Sequence, residues 1–393
     1  MRVIGIDASR ANIKKRTGTE WYIFNLLNQL KDIIPQDNYK VILYTKEPLL
    51  EDLLPLPKNW ENVVLRWSPK LMWTQIRMSI AMLRFWSRPD ILFIPAHTIP
   101  IIHPKRSVYV AHDLGFENSP ELYANSYIGG SIVNFIVRVF TFGKYSTSEL
   151  DYHRWSMNFA AKHASKIITI SEFTKSELKS RYQIEDSKIL VVHNGFSSHE
   201  YHPVPDTNNQ KQYILYIGRL EHKKNIVNLI KAFNILRNKY KLNHQLYLVG
   251  SPGNGYENIK SEILKHNLHD VVQELGYVEQ DKMNVLMNDA SLFIFPTNYE
   301  GFGIPILEAL ATGTTVVCSD IPPLKEVCED ACIYFNHHDP ESIAAKMNSA
   351  INLSEIDRKQ LSDVGFERVK FFSWQKCADK TWKALKSELD AEN

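Results

Sequence analysis

The chain has 393 residues, 44% of them hydrophobic and 23% charged. That is enough apolar material for two or three packed domains, and it excludes disorder, a collagen-like repeat or a disulfide scaffold. Its 46 basic and 44 acidic side chains leave a formal net charge of +2, which argues against a nucleic-acid binder.

The first residues, Met1 to Asp7, hold an apolar run stopped by Asp7, too short for the core of a signal peptide; Val3–Ile6 is predicted to be a strand. Further short apolar runs at Val41–Tyr44, Ile91–Ile94, Val108–Val110 and Ile167–Ile170 read as buried parallel strands, with helices between them such as Glu20–Leu30. The second half repeats the scheme at Tyr213–Tyr216, Gln245–Val249, Val271–Glu274, Ser291–Phe295 and Thr315–Cys318. Strands alternating with helices predict an α/β protein with parallel sheets. The joint falls in Ser197–Gln212, where Pro203, Pro205, Asp206, Asn208 and Asn209 interrupt any periodicity. Three segments result: residues 1–205, residues 206–372, and a closing helix, 373–393, with Trp374, Ala378, Thr381/Trp382 and Leu385 on one stripe, free to cross back to the first domain.

Charge is unevenly spread. Residues 1–200 carry 25 basic and 19 acidic side chains, the remainder 21 and 25. Asn62 to Pro89 has no acidic residue but holds Arg66, Lys70, Arg77, Arg84 and Arg88 with Trp67, Trp73 and Trp86. Lys70, Arg77 and Arg84, seven residues apart, are expected on one helix face, a pattern suited to an anionic membrane surface or to a helix packed on the first sheet. No run approaches the ~18 apolar residues of a membrane span. Four cysteines, Cys318, Cys328, Cys332 and Cys377, are too few and too clustered for a disulfide framework. Cys328-x3-Cys332 lacks a second Cys or His pair to complete a zinc site, so the cysteines are expected to be buried small residues and no metal site is predicted. A reducing, cytoplasmic compartment fits, with the inner membrane face as a peripheral location.

The richest stretch is Phe295-Pro-Thr-Asn-Tyr-Glu-Gly-Phe-Gly-Ile-Pro-Ile-Leu-Glu308. It starts at the carboxyl end of an apolar strand, where open α/β sheets place their ligands. Gly301 and Gly303 permit a tight loop with free N–H groups, and Pro305 suits a first helical turn, so the helix start favours an anion. Glu300 and Glu308 would repel phosphate; their natural partners are sugar hydroxyls. In the second stretch, Tyr213 to Asn225, a strand leads into Gly218, Arg219 and Lys224, a guanidinium fork and a point charge suited to a diphosphate. As the diphosphate leaves, such cations stabilise its developing charge. In the first half, Gly18 follows the first strand and can bring backbone close to a ligand, while His112-Asp113 follow Val108–Val110. His97 is expected to be structural, and Gly250-x2-Gly253-x-Gly255 to be a turn.

Taken together, Glu300-x7-Glu308 with Gly-Phe-Gly inside it, Gly218-Arg219-x4-Lys224-Asn225, Leu275-Gly276-Tyr277-Val278, Asn194-Gly195 and Phe372-Ser373-Trp374 resemble the retaining glycosyltransferases of family four. The resemblance covers essentially the whole chain and implies the GT-B architecture, two facing Rossmann-like domains that close over the donor. Ser319-Asp-Ile-Pro322 and Leu324-Lys-Glu-Val327 resemble the bacterial cell-surface mannosyltransferases most. The resemblance implies that Arg219 and Lys224 bind the donor diphosphate, Glu308 the ribose, and Glu300 with the backbone of Gly301, Phe302, Gly303 and Ile304 the donor sugar. It also places Gly18 at the diphosphate from the opposite domain, His112 at the transferring sugar, and the base near Tyr277 and Val278. Thr315 departs from the proline usual after Gly313-x.

The expected activity is metal-independent transfer of a hexose, with retained configuration, from a GDP- or UDP-linked donor to a glycan or lipid-linked acceptor. Such a reaction needs cations and a donor but no separate cofactor; GDP-mannose is slightly preferred. Retaining glycosidases use a carboxylate nucleophile; Asp113 is the one candidate here. A nucleotide-sugar epimerase and a non-enzymatic nucleotide-sugar binder are the alternatives.

Overall fold

The computed structural model describes residues 1–67, 72–84, 88–118, 120, 138, 146, 148–204 and 211–391. The chain divides into two units, one made of Met1–Gly195 with Trp374–Asn393, the other of Phe196–Ser373. Each is a parallel sheet wrapped by helices.

The first sheet has seven strands: β1 (Arg2–Asp7), β2 (Tyr39–Thr45), β3 (Trp60–Val64), β4 (Ile91–Ile94), β5 (Arg106–Ala111), β6 (Lys166–Thr169) and β7 (Ile189–Val191). Their order is β3-β2-β1-β4-β5-β6-β7, every pair parallel. The second has six: β8 (Lys211–Ile217), β9 (Gln245–Val249), β10 (Val272–Gly276), β11 (Ala290–Phe295), β12 (Val316–Ser319) and β13 (Ile333–Phe335), in the order β10-β9-β8-β11-β12-β13. Central strands are buried on both faces, which is why Ile91–Ile94 and Ala290–Phe295 are unbroken apolar runs.

The direction of winding reverses between β1 and β4 in the first unit and between β8 and β11 in the second. At such switch points the loops leaving the carboxyl ends diverge and open a crevice. Ten predicted strands are present within two residues of their expected ends. The sequence reading lacks β3, β7 and β13, all sheet edges whose residues are largely half-buried; β3 is broken by Glu61 and Asn62, and β7 and β13 are only three residues long.

Helix Gly18–Ile33 follows β1. Thr17 caps it in a capping box with Glu20, whose carboxylate accepts the Thr17 N–H at 3.2 Å and its hydroxyl at 2.5 Å. The closing helix, Trp374–Asp390, belongs to the first unit and buries the stripe Trp374, Ala378, Thr381, Trp382 and Leu385. Its rings meet Tyr22 (Trp374, centroids 5.9 Å apart) and Tyr39 (Trp382, 4.9 Å). The second unit starts at Phe196, ahead of the joint expected at 205–206. Residues after Phe196 are already fastened to it: the His202 and Val204 N–H groups donate to Asn284 and Asn288 Oδ1 at 3.1 and 2.9 Å.

The basic tryptophan-rich stretch differs from its expected form. Met72 has a left-handed conformation, φ 54°, and the helix begins only at Trp73. Trp73 is 3% exposed, its ring N–H donates to the Leu65 carbonyl at 2.7 Å, and it is core rather than surface. Lys70 and Trp86 lie outside the described residues, so the seven-residue stripe is not traced. Ile76, Ile80 and Leu83 are exposed on the helical segment beside Arg77 and Arg84. Among the described residues, no helix is long and apolar enough to cross a membrane.

Candidate active site

Loops leaving β8 and β11, on either side of the switch point, are stitched together in the second unit. The Lys223 carbonyl accepts the Asn298 N–H at 3.0 Å and the Thr297 hydroxyl at 3.2 Å, while Asn298 Nδ2 donates to the His222 carbonyl at 3.3 Å. This stitching brings Lys224 to Glu300: the ammonium donates to the carboxylate, with both side chains largely buried. Arg219, on the same turn, is 62% exposed, with Glu221 at 3.7 Å.

Behind them, the loops after β8 and β9 pack backbone to backbone. A Cβ on Gly250 would lie 2.0 Å from the Gly218 carbonyl oxygen, so no larger residue fits. The Gly218 N–H donates to Val249 at 2.9 Å and the Gly250 N–H to Gly276 at 2.8 Å, extending the ladder past the strand ends. Gly276 closes β10, and beyond it Tyr277 is 70% exposed and Val278 half-buried. The Gly250–Gly255 segment is a turn leading to helix Tyr256–Lys265.

Beyond Glu300, Gly301 and Phe302 are buried. The Phe302 ring packs edge-on against Phe372, centroids 5.5 Å apart, so only its backbone is available to a ligand. Gly303, at φ 104°, caps helix Ile304–Ala311 without a side-chain cap, leaving the dipole end unblocked by its own sequence. Glu308 lies one turn inside that helix. Burial, then the neighbouring Glu200 charge, push its carboxyl up to about 8 against a hydrogen bond from Tyr201, so at neutral pH it is largely protonated.

The first unit has its own polar group at the carboxyl ends of β1, β4 and β5. His112 is half-buried, with Nε2 placed to donate to the Pro95 carbonyl at 3.1 Å and its ring edge-on to Tyr22 at 4.7 Å. Burial lowers its pKa, outweighing the Pro95 carbonyl and Asp113, so the imidazole is neutral near pH 7. Asp113 accepts the Gly115 N–H at 2.8 Å. His97 lies 3.0 Å from His153, and burial pushes its pKa well down. Gly18 opens its helix with nothing within 4 Å of where a Cβ would point. Arg16, in contrast, is structural: it is buried and forks onto Asp52 at 2.6 and 3.0 Å.

Sequence reasoning passed over Arg10, whose charge acts on His97, His112 and His153. It also passed over Tyr201, the partner of Glu308. Arg10 had a signal available, three residues past a strand end; Tyr201 had none, since it lies in an irregular segment.

Residues 16–200 match the model of Glycosyltransferase Family 4, and residues 197–368 that of Glycosyl transferases group 1. The chain belongs to the family-four glycosyltransferases. Over 300 residues this glycosyltransferase is 28% identical to the O-antigen chain mannosyltransferase B of Escherichia coli, spanning 73% of this chain and 78% of that protein. Over 246 residues it is 25% identical to the O-antigen chain mannosyltransferase RfbU of Salmonella typhimurium, 63% of this chain and 60% of the relative. The sucrose-phosphate synthase of Thermosynechococcus elongatus matches in fold with a TM-score of 0.74 at 16% identity, covering 100% of both chains. The fold of this glycosyltransferase is therefore GT-B, built from two Rossmann-like units.

Proposed function

We propose that this glycosyltransferase moves a hexose from a nucleoside-diphosphate sugar to a glycan or lipid-linked acceptor in cell-surface polysaccharide synthesis, with retained configuration and without a metal. The observation carrying this reading is the pairing of Lys224 with Glu300 across the loops leaving β8 and β11, the two strands of the switch point; Arg219 lies on the first of those loops and Gly303 on the second. Arg219 and Lys224 hold the diphosphate and stabilise it as it departs. Lys224 is paired with Glu300; a bound diphosphate draws the ammonium toward itself and frees the carboxylate for sugar hydroxyls. Glu308, a neutral donor and acceptor at pH 7, suits ribose hydroxyls without repelling the phosphates.

In the first unit, Gly18 leaves room for a phosphate beside the helix start, and neutral His112 faces the transferring sugar. Mannose as the sugar is supported by the names of the Escherichia coli and Salmonella relatives; GDP is the preferred carrier of this reading, with a UDP-sugar second. Peripheral attachment to an anionic inner membrane surface is supported by exposed Ile76, Ile80 and Leu83 beside Arg77 and Arg84.

Thermal melts against a panel of nucleoside-diphosphate sugars test the donor, since a ligand held at 100 times its Kd stabilises by about 2.7 kcal/mol. GDP-mannose is expected to raise the melting temperature most, and no shift with any member would refute the donor site. Co-sedimentation with anionic vesicles at low salt tests the membrane reading; protein left entirely in the supernatant defeats it.

A further inference from the structure

Cys318, Cys328 and Cys332 come together in the second unit. Their sulfurs all lie within 4.8 Å of one another, and all three residues are buried. Three elements supply them: Cys318 is in β12, Cys328 ends helix Pro322–Cys328, and Cys332 leads into β13. Spacing along the chain concealed this, because the third sulfur comes from a strand ten residues before the Cys328 pair.

We propose that these three thiols bind one thiophilic d10 metal ion, Zn2+ or Cu+. Sulfurs about 2.3 Å from a common ion stand about 3.8–4.0 Å apart, so small side-chain rotations close the site. Among the described residues no histidine or carboxylate joins the cluster, so the donor set is all sulfur and selects soft ions over Mg2+ or Ca2+. Three thiols binding Zn2+ release three protons and take a water as fourth ligand; Cu+ is satisfied by three sulfurs alone. The cluster borders a cavity on one side. A surface cavity of about 650 Å³ is lined by Cys328 together with Glu329, Asp330, Asp363, Glu367 and Arg368. Its carboxylates outnumber its cations.

The ion clips helix Pro322–Cys328 to the ends of β12 and β13. Leu324 of that helix reaches to 2.7 Å of where a Gly303 Cβ would lie, so the clip stiffens the base of the glycine loop.

The test uses the full chain purified under reductant and titrated with Co2+ as a probe for Zn2+, and separately with Cu+ against a chromophoric chelator. One equivalent of Co2+ is expected to give a thiolate-to-cobalt charge-transfer band that Zn2+ abolishes. The band should vanish in Cys328→Ser and Cys332→Ser and persist in Cys377→Ala, and metal should raise the melting temperature of the wild type and Cys377→Ala but not of the other two variants. Binding of Cu+ but not Co2+ identifies the trigonal ion. Zero equivalents of either metal on the wild type, or a charge-transfer band surviving in folded Cys328→Ser, overturns the proposal, as does alkylation showing a disulfide in freshly reduced protein. The wild-type titration decides even if the variants fail to fold, and no readout depends on turnover or the donor reading.

Discussion

Lys224 and Glu300 balance each other, so removing either leaves a partly buried charge without its partner. Lys224→Ala is expected to lower turnover by about 10²–10³-fold, the usual effect of deleting one group that stabilises developing charge. Circular-dichroism melts of the variant separate that loss from unfolding, and turnover within about threefold of wild type would remove Lys224 from the site. Glu308 makes a pH prediction. Its folded-state pKa of about 8 lies above the ordinary 4.5, so between those values the native chain holds a proton the unfolded chain has lost. This contribution to stability is full below about pH 4.5 and is lost as pH rises through about 8. Glu308→Gln should therefore flatten the decline, read as the difference between wild-type and variant melting temperatures across that range; parallel curves would contradict it. Gly18→Ala separates packing from binding. With nothing near its Cβ, the substitution should leave stability unchanged or raise it by up to about 1 kcal/mol, while raising the KM for donor. An unchanged KM would clear Gly18 of any ligand role.

Among the elements, the close approach of the loops after β8 and β9 is the least forgiving. Gly250→Ala places a carbon against the Gly218 carbonyl, and with φ at 142° the backbone has no relaxed alternative. A loss of at least about 2 kcal/mol is expected in urea unfolding, and a neutral result would mean that the two loops can separate freely. Elements also show where the sequence was legible. Central strands such as β4 and β11 are doubly covered and therefore apolar at every position, which made them visible. Edge strand β3, Trp-Glu-Asn-Val-Val, is mostly half-buried and offers neither an apolar run nor a clean alternation. Among site residues, Glu300, Lys224 and Gly303 could be picked out by residue type and spacing beside a strand end. That Lys224 would ion-pair with Glu300, or that Cys318 would join Cys328 and Cys332, depends on cross-loop hydrogen bonds and strand adjacency that linear order does not contain.

On the scale of the whole molecule, two units of like architecture carry complementary polar groups at their own switch points, cations and carboxylates in the second, neutral imidazoles in the first. The closing helix buries two tryptophans in the first unit. Deleting residues 374–393 should lower the melting temperature by more than any single-residue change above, with calorimetry showing the loss in one of two transitions. An unaltered thermogram would mean that the helix is dispensable.

Because the first unit takes its last helix from beyond the second unit, a ribosome delivers its two pieces with the whole of that second unit between them. The earlier part emerges with Tyr22 and Tyr39 still lacking their tryptophan neighbours, and it waits while all of Phe196–Ser373 is made. The later-encoded unit is continuous and can finish first, so nascent chains stalled before Trp374 should be cut by protease in the leading half and spared in the trailing one.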